Sequence, residues 1–138
     1  MIGTSDQDKF IRSMKAAIVT SLRKDGSPTS SLIFYALDGD ELLFSTTSDR
    51  IKAKTLKRDP RIAVAVLDEG APWRYATIEG TASINDGDIE PDHILINRAM
   101  RAQPDWQPPE GYEDTLRQQG RVVIRVKAQR VSGVVNRG

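Results

Sequence analysis

The stretch that decides the fold is residues 17–46, which read AIVTSLRKDGSPTSSLIFYALDGDELLFST. It contains three runs rich in β-branched and apolar residues, separated by KDGSP and by DGD. Glycine, proline and aspartate in such short spacers are typical of tight turns. Strands that follow one another through short turns pair antiparallel. The strands predicted here cover residues 17–22, 29–37 and 41–46.

The rest of the chain continues the β pattern, with helical pieces between the strands. Further strands are predicted at residues 62–67, 73–84, 122–128 and 131–135. Gly80, in the middle of a strand, indicates a bulge or a close backbone approach. No internal repeat or linker divides the chain, so we predict a single domain over residues 1–138. About six strands and a few helices in so short a chain favour a small closed or nearly closed barrel.

Composition excludes several classes of function. Because 20 Lys and Arg oppose 19 Asp and Glu, we expect no nucleic-acid binding through charge alone. No cysteine and a single histidine mean no thiolate nucleophile and no multi-histidine zinc site within one chain. No apolar run could span a membrane and no signal peptide is recognisable, so we expect a soluble, cytoplasmic protein. That histidine, His93, lies among carboxylates on a helix predicted to be exposed, and we assign it no role.

Cations are concentrated where one predicted strand runs into a helix. Thr46, Thr47 and Ser48 precede the helix, with Ser48 as the expected N-cap, and Arg50 and Lys52 follow at once. Hydroxyl groups, backbone N–H groups, the positive end of the helix dipole and two cations would converge there, as in a phosphate site. The alternative is a solvated helix face with a capped start.

Two other features have both a functional and a structural interpretation. Arg121, Arg125 and Lys127 alternate onto one face of a strand, as a second basic wall for a polyanion or as an ordinary polar surface. Trp73 and Tyr75 open another strand, where aromatic side chains either stack on a flat ring or cover a hydrophobic core. The residues alone leave both alternatives open.

Four segments together carry a family pattern. They are AIVTSLRKDGSP (17–28), LLFSTTSDRIKAKTLKRDP (42–60), WRYATIEG (73–80) and RVVIRVKAQRV (121–131). In this order they resemble the pyridoxamine-phosphate-oxidase-like split β-barrel flavoproteins, and most closely the branch that uses the deazaflavin coenzyme F420. The resemblance implies a mainly β fold, a six-stranded antiparallel split β-barrel with a few short helices. It also implies a homodimer with the cofactor at the subunit interface.

The same resemblance implies where the cofactor would be held. The strand over Ser30–Phe34 would line its ring through the backbone, and the segment from Thr46 to Lys52 would hold its phosphate. Tyr75 would contact the ring and reach the partner's cofactor. The complete set of expected cofactor-binding residues is Ser30, Ser31, Leu32, Ile33, Phe34, Thr46, Thr47, Arg50, Lys52, Lys57, Trp73 and Tyr75. No catalytic residue and no metal ligand is assigned.

The choice of cofactor depends on charge beyond the phosphate. F420 carries a polyanionic tail, for which Lys54, Lys57 and Arg58 would offer a basic track, whereas FMN would need the phosphate site only. The Arg-x-His substrate motif of the oxidase itself is absent from the C-terminal region, which argues against oxidation of pyridoxamine phosphate. We therefore predict an F420-dependent reductase that transfers a hydride to a flat, conjugated small molecule. The alternatives are an FMN-dependent oxidoreductase and a non-catalytic carrier of F420 or FMN.

Overall fold

A computed structural model describes residues 1–70 and 73–136, without the side chains of residues 51 and 52. The strands in the described part are β1 (Ala16–Leu22), β2 (Pro28–Phe34), β3 (Ala36–Asp38), β4 (Glu41–Thr47), β5 (Arg61–Leu67), β6 (Tyr75–Asn85) and β7 (Arg121–Val134). The helices are α1 (Ser5–Ser13), α2 (Ile51–Arg58), α3 (Glu90–Arg101) and α4 (Tyr112–Gln118). The mainly β class is confirmed, and the expected number of six strands is wrong, because the described residues form seven.

The predicted strand over residues 29–37 divides at Tyr35. The buried Tyr35 hydroxyl donates a hydrogen bond of 2.5 Å to the carbonyl oxygen of Ile11. Its backbone N–H donates to the carbonyl oxygen of Lys15 at 3.0 Å. These bonds hold the chain between β2 and β3, which belong to opposite edges of the sheet. Near the C-terminus, the two predicted strands form one continuous strand, β7.

The seven described strands form one antiparallel sheet in the order β2-β1-β5-β6-β7-β4-β3. The two edge strands, β2 and β3, are separated by Tyr35 alone. Because so short a link joins both edges, the sheet must curl round on itself, and it forms a half-barrel. The curl brings β2 beside β4, although these two strands are not paired.

Apolar side chains fill the inside of the curled sheet, alternating along the strands with outward-facing residues. Val19, Phe44, Val64 and Ile124 are buried in this core. A second, smaller core lies on the outer face, where α3 and α4 cover part of the sheet. Its members are Ala36, Leu43, Ile89, Ile96, Leu116 and Val123. Leu43 and Phe44 are neighbours on β4, so their side chains point to opposite faces of the sheet. Phe44 is buried inside the sheet, and Leu43, on the outer face, is buried by the two helices.

The long strands β6 and β7 pair with a break in register between Glu79 and Gly80. A Cβ atom at Gly80 would overlap the carbonyl oxygen of Lys127, so the two backbones approach more closely than a side chain would allow. The bulge and close approach predicted at Gly80 are thus confirmed. A bulge at this point bends the strands and strengthens their twist, which assists the curl of the sheet.

Candidate functional site

A pocket of about 480 Å³ lies beside the gap between β2 and β4, next to α3 and α4. Part of its lining is apolar and includes Leu32, Phe34, Ile96 and Met100. Another part carries hydroxyl, imidazole and guanidinium groups. A cavity with both kinds of surface suits a ligand that combines a flat apolar portion with an anionic group.

The cationic part of the pocket is built on β4 and β7. Thr47 and Arg121 are directly opposite each other in this strand pair, so their side chains leave the same face of the sheet. Arg121 Nε also donates to the Gln119 side chain at 3.1 Å, and Arg50 adds a second guanidinium to the lining. Among the described residues, neither arginine forms an ion pair with a carboxylate. Both charges are therefore available to an anionic ligand.

The segment between β4 and α2 differs from the prediction. Ser48 does not cap the helix, because α2 begins only at Ile51 and Ser48 lies in a turn before it, which the Arg50 N–H closes by donating to the carbonyl oxygen of Thr47 at 3.0 Å. The backbone N–H of Ser48 donates to the carbonyl oxygen of Gly120 at 2.8 Å. Arg50 occupies the N-cap position, without a side-chain hydrogen bond to the helix. The Thr47 hydroxyl donates to the carboxylate of Asp49 and so holds the pKa of Asp49 below its usual range. The predicted Ser48 cap is wrong, since the bond to Gly120 holds Ser48 in the turn before the helix.

His93 lines the pocket although the sequence assigned it no role, and the same holds for Ser45, Asn97 and Tyr112. His93 is 3% exposed, so the prediction of an exposed position is wrong. Its Nδ1 lies 2.7 Å from the carbonyl oxygen of Ile89, and its Nε2 lies 2.6 Å from the hydroxyl of Ser45. Burial is the main cause that lowers the pKa of His93, and the charge of Arg121 lowers it further. The available signal was helical spacing, which places His93 in one stripe with Ile96 and Met100.

An ion cluster beside His93 holds α3 against the sheet. Asp92 is 6% exposed and accepts hydrogen bonds from Arg125 at 2.7 Å and from Asn85 at 3.2 Å. The same arginine reaches Asp38 at 3.0 Å and Glu41 at 2.9 Å. Hydrogen bonding to Asp92 is the largest cause that raises the pKa of Arg125. The charge of Arg125 is therefore neutralised by carboxylates. Of the predicted basic wall of Arg121, Arg125 and Lys127, only Arg121 belongs to the pocket lining.

The chain between α3 and α4 supports the helical side of the pocket. Asn97 donates to the Tyr112 hydroxyl at 2.8 Å, and Arg101 donates to the side-chain oxygen of Asn97 at 3.0 Å. Trp106 packs edge-on against Tyr112 with 5.7 Å between ring centroids, and the Arg101 guanidinium lies 5.2 Å from the Trp106 ring. This network orients Asn97 and Tyr112, both of which line the pocket.

The structure brings half of the expected cofactor residues together. Those that line the pocket are Leu32, Ile33, Phe34, Thr46, Thr47 and Arg50. Five others lie elsewhere: Ser30 and Ser31 further along β2, Lys57 on the exposed side of α2, Trp73 just before β6, and Tyr75 at the start of β6. The side chain of Lys52 lies outside the described residues.

An apolar area on the outer face of the sheet is exposed beside the pocket. Phe34, Ala16, Leu67 and Tyr75 form one row across β2, β1, β5 and β6. Three strand spacings separate Phe34 from Tyr75, which places the two residues roughly 14 Å apart. Leu32 and Phe34 are 59% and 38% exposed, and Tyr75 is exposed as well. Tyr75 does not belong to the lining of the pocket in its own chain.

No helix in the described part of the chain is both long and apolar enough to cross a membrane. The same residues contain no group of three or more His, Asp or Glu side chains that could hold a metal ion. Their buried side-chain nitrogen and oxygen atoms all have hydrogen-bond partners. The polar chemistry of the pocket thus comes from its hydroxyl, imidazole, amide and guanidinium groups.

Known proteins share this fold over nearly its whole length. The family model for pyridoxamine 5'-phosphate oxidase matches residues 4–135. A solved F420 reductase is 25% identical, with a TM-score of 0.71 over 91% of this chain and 94% of that one. A putative pyridoxamine 5'-phosphate oxidase from Listeria innocua is 19% identical, with a TM-score of 0.69 over 94% and 98% of the two chains. A FAD-binding protein from Mesorhizobium loti is 17% identical, with a TM-score of 0.66 over 96% and 94%.

These similarities show that the protein has the fold of flavin-binding oxidoreductases. The chain belongs to the pyridoxamine 5'-phosphate oxidase family. The family resemblance recognised in the four sequence segments is thereby confirmed.

Proposed function

We propose that the protein is a reductase that uses coenzyme F420 and acts, as a homodimer, on a flat, conjugated small molecule. The observation that carries the proposal is that one pocket is lined both by the edge strand β2 and by the guanidinium groups of Arg50 and Arg121. The similarity to a solved F420 reductase at 25% identity supports this choice of cofactor.

The phosphate of the cofactor would bind at Thr47, Arg50 and Arg121. Each charge-assisted hydrogen bond to such a group contributes about 1.5–3 kcal/mol. The phosphate would compete with the Asp49 carboxylate for the Thr47 hydroxyl. Beyond this point, Lys54, Lys57 and Arg58 lie exposed on α2, where they would face the anionic tail of F420. Lys52, taken from the sequence alone, would add a further cation at the phosphate.

The ring of the cofactor would lie against β2. In the described sheet β2 pairs with β1 alone, so the backbone groups on its other edge are outside any ladder. Backbone N–H and C=O groups that are not paired in a sheet need other partners. The pyrimidine edge of a flavin or deazaflavin ring presents both donors and acceptors and would meet this need. Leu32 and Phe34 would add apolar contact with the ring.

A second copy of the chain would complete the site. The exposed apolar side chains of Leu32, Phe34 and Tyr75 are suited to burial between two subunits, which is favourable by roughly 25 cal/mol per Å² of apolar surface. Because Tyr75 does not line the pocket of its own chain, we expect it to contact the ring in the pocket of a partner. Light scattering at micromolar concentration should give twice the mass of the chain, and a monomer would contradict the dimer.

The reduced cofactor, when bound, supplies the hydride to the acceptor. The chain itself would bind the phosphate, orient the ring against β2 and keep water from the ring by packing. Ile96 and Met100 of α3 would offer an apolar surface to the flat substrate. This division of work needs no protein nucleophile, in agreement with the absence of cysteine.

A titration of F420 and FMN against the same purified protein tests the proposal. We expect F420 to bind more tightly, and Arg121→Gln to weaken its binding at least tenfold, as the loss of one charge-assisted bond predicts. Lys52→Ala should also weaken binding. Lys24→Gln, in the exposed turn between β1 and β2, is the matched control and should leave binding unchanged. Absence of F420 binding in the wild-type protein would refute the proposal.

The alternatives from the sequence have distinct outcomes. Tighter binding of FMN, with yellow protein after purification, would favour an FMN-dependent oxidoreductase. Bound cofactor without turnover across quinones, enones, nitro compounds and tetrapyrroles would favour a carrier. Turnover of any of these by the F420-loaded protein would support the reductase.

A further inference from the structure

We propose that Ser45 and His93 form a proton-dependent part of the anion site, so that a phosphate-bearing ligand binds with uptake of one proton by His93. Protonation would turn the Ser45 hydroxyl from an acceptor into a donor toward the ligand. This inference rests on the proposed function, in which the phosphate of a flavin-type cofactor binds in this pocket.

The first step is the direction of the hydrogen bonds in the ligand-free protein. The carbonyl oxygen of Ile89 can only accept, so Nδ1 of His93 carries the hydrogen of the neutral ring. Nε2 must then accept, and the Ser45 hydroxyl donates to it across 2.6 Å. With its hydrogen engaged in this way, Ser45 presents only lone pairs to the pocket. A phosphate oxygen, which is itself an acceptor, gains no hydrogen bond from it.

The second step is the position of Ser45 beside the cations. Ser45 and Thr47 are two residues apart on β4, so their side chains share one face about 7 Å apart. Arg121 lies opposite Thr47 on this face, and Val123 lies opposite Ser45. A phosphate held by Thr47 and Arg121 would therefore have an oxygen within reach of the Ser45 hydroxyl, with hydrogen bonds of about 2.8 Å on each side.

The third step is the effect of protonation. In the imidazolium form both ring nitrogens donate, so Nε2–H would donate to Ser45 Oγ and release the serine hydrogen toward the ligand. The proton comes from solvent and stays on Nε2, and no covalent bond to the ligand forms. The pair thereby gains both a hydrogen bond to the phosphate and a positive charge beside it.

The charges around the ring explain why the ligand is needed. The charges that act on His93 directly are those of Asp92 on α3 and Arg121 on β7. Arg50 and Tyr112 line the same pocket, Arg125 binds Asp92, and Asp49 accepts a hydrogen bond from Thr47 at the edge of the site. Burial and Arg121 oppose the charged ring, while Asp92 favours it and is itself bound by Arg125. A bound phosphate would offset the two pocket arginines and attract the imidazolium directly. Ligand binding and protonation therefore favour each other.

The single histidine of the chain makes the test direct. With any purification tag removed, the NMR spectrum contains one imidazole, whose pKa can be followed without ligand, with saturating FMN or F420, and with inorganic sulfate. Sulfate keeps the same charge over the titration. We expect FMN, F420 and sulfate each to raise this pKa by at least one unit, which by linkage means at least tenfold tighter binding to the protonated protein.

Two variants separate this role from simple packing. Ser45→Ala should still bind the ligands, with less than half of the wild-type rise in the pKa of His93. In the wild-type protein, the affinity for FMN should fall as the pH rises from the pKa of free His93 to its higher pKa in the complex. His93→Gln should lose this part of the pH dependence. A rise in Ser45→Ala equal to that in the wild type would overturn the role of the serine.

The outcomes also separate this inference from the proposed function. If F420 or FMN binds and the pKa of His93 does not move, the proton coupling is wrong and the cofactor proposal stands. If sulfate raises the pKa and neither cofactor binds, the anion site stands and the cofactor proposal falls. If neither sulfate nor the cofactors move the pKa, the inference is refuted.

Discussion

Replacing Arg125 with methionine should strongly destabilise the protein and release α3 from the sheet. Methionine keeps an unbranched apolar stem but removes the guanidinium that joins Asp92, Asp38 and Glu41. Asp92 is the partner that matters, because it is 6% exposed and would keep only the hydrogen bond from Asn85.

The magnitude follows from the different exposure of the three carboxylates. Removing one partner of a buried ion pair costs about 3–5 kcal/mol, because the remaining charge is left uncompensated. The Asp38 and Glu41 side chains are 55% and 34% exposed, and exposed pairs contribute about 0–1 kcal/mol. We therefore expect Arg125→Met to lower the free energy of unfolding by about 3–5 kcal/mol, mostly through Asp92.

Urea unfolding measured by circular dichroism tests this expectation. Arg130→Met is the matched control, because Arg130 lies on the same strand and pairs with Glu79 at 2.7 Å with both side chains well exposed. It should cost less than about 1 kcal/mol. The double variant with Asp92→Asn should recover part of the loss by removing the buried charge. Equal costs for Arg125→Met and Arg130→Met, or no recovery in the double variant, would refute the reasoning.

Three further predictions follow from single contacts. Gly80→Ala should lower the free energy of unfolding in urea by about 2–3 kcal/mol, since a methyl group there overlaps the Lys127 carbonyl. The control Gly87→Ala, whose Cβ would meet only Asn85 at 3.6 Å, should stay within about 0.5 kcal/mol of the wild type, and equal losses of stability in the two variants would contradict the bulge. Wild-type stability should fall as the pH drops below about 6.5, because the unfolded chain binds a proton at His93 more readily than the buried ring does; His93→Gln should show a flatter profile from neutral to mildly acidic pH, and parallel profiles would count against the buried neutral ring. A carboxyl NMR titration should place the pKa of Asp59 at about 2, because Arg61 hydrogen-bonds its carboxylate; Arg61→Gln should move it toward 3.8, and an unmoved value would exclude that cause.

Features that depend on neighbouring residues were predictable from the sequence. The DGD spacer marks the turn of the β3–β4 hairpin, and Asp38 and Glu41 pair across it. Gly80 marks the bulge, because a strand interior tolerates glycine mainly where backbones must approach closely. The hydroxyl and basic residues from Thr46 to Arg50 were recognisable as a candidate anion site, and Thr46, Thr47 and Arg50 do line the pocket.

Other features depended on partners that are distant in the chain. Ser48 has the composition of an N-cap, yet its backbone is bound by Gly120, 72 residues further along. Tyr35 lies within a continuous run of residues that favour a strand, yet its hydrogen bonds to Ile11 and Lys15 interrupt the strand there, between β2 and β3 at opposite edges of the sheet. Neither outcome follows from local propensity, because tertiary hydrogen bonds override it.

The sequence by itself determined the mainly β class, the antiparallel hairpins, the bulge and the cations beside a strand end. These depend on turn chemistry, side-chain alternation and local charge, which act over a few residues. Only the tertiary structure decided that β2 and β3 are opposite edges joined by Tyr35, and that α3 buries His93 against Ser45. Whether a polar side chain on a helix faces water or a pocket depends on what packs against that helix, and this is a property of the assembled sheet rather than of the residues next to it in the chain.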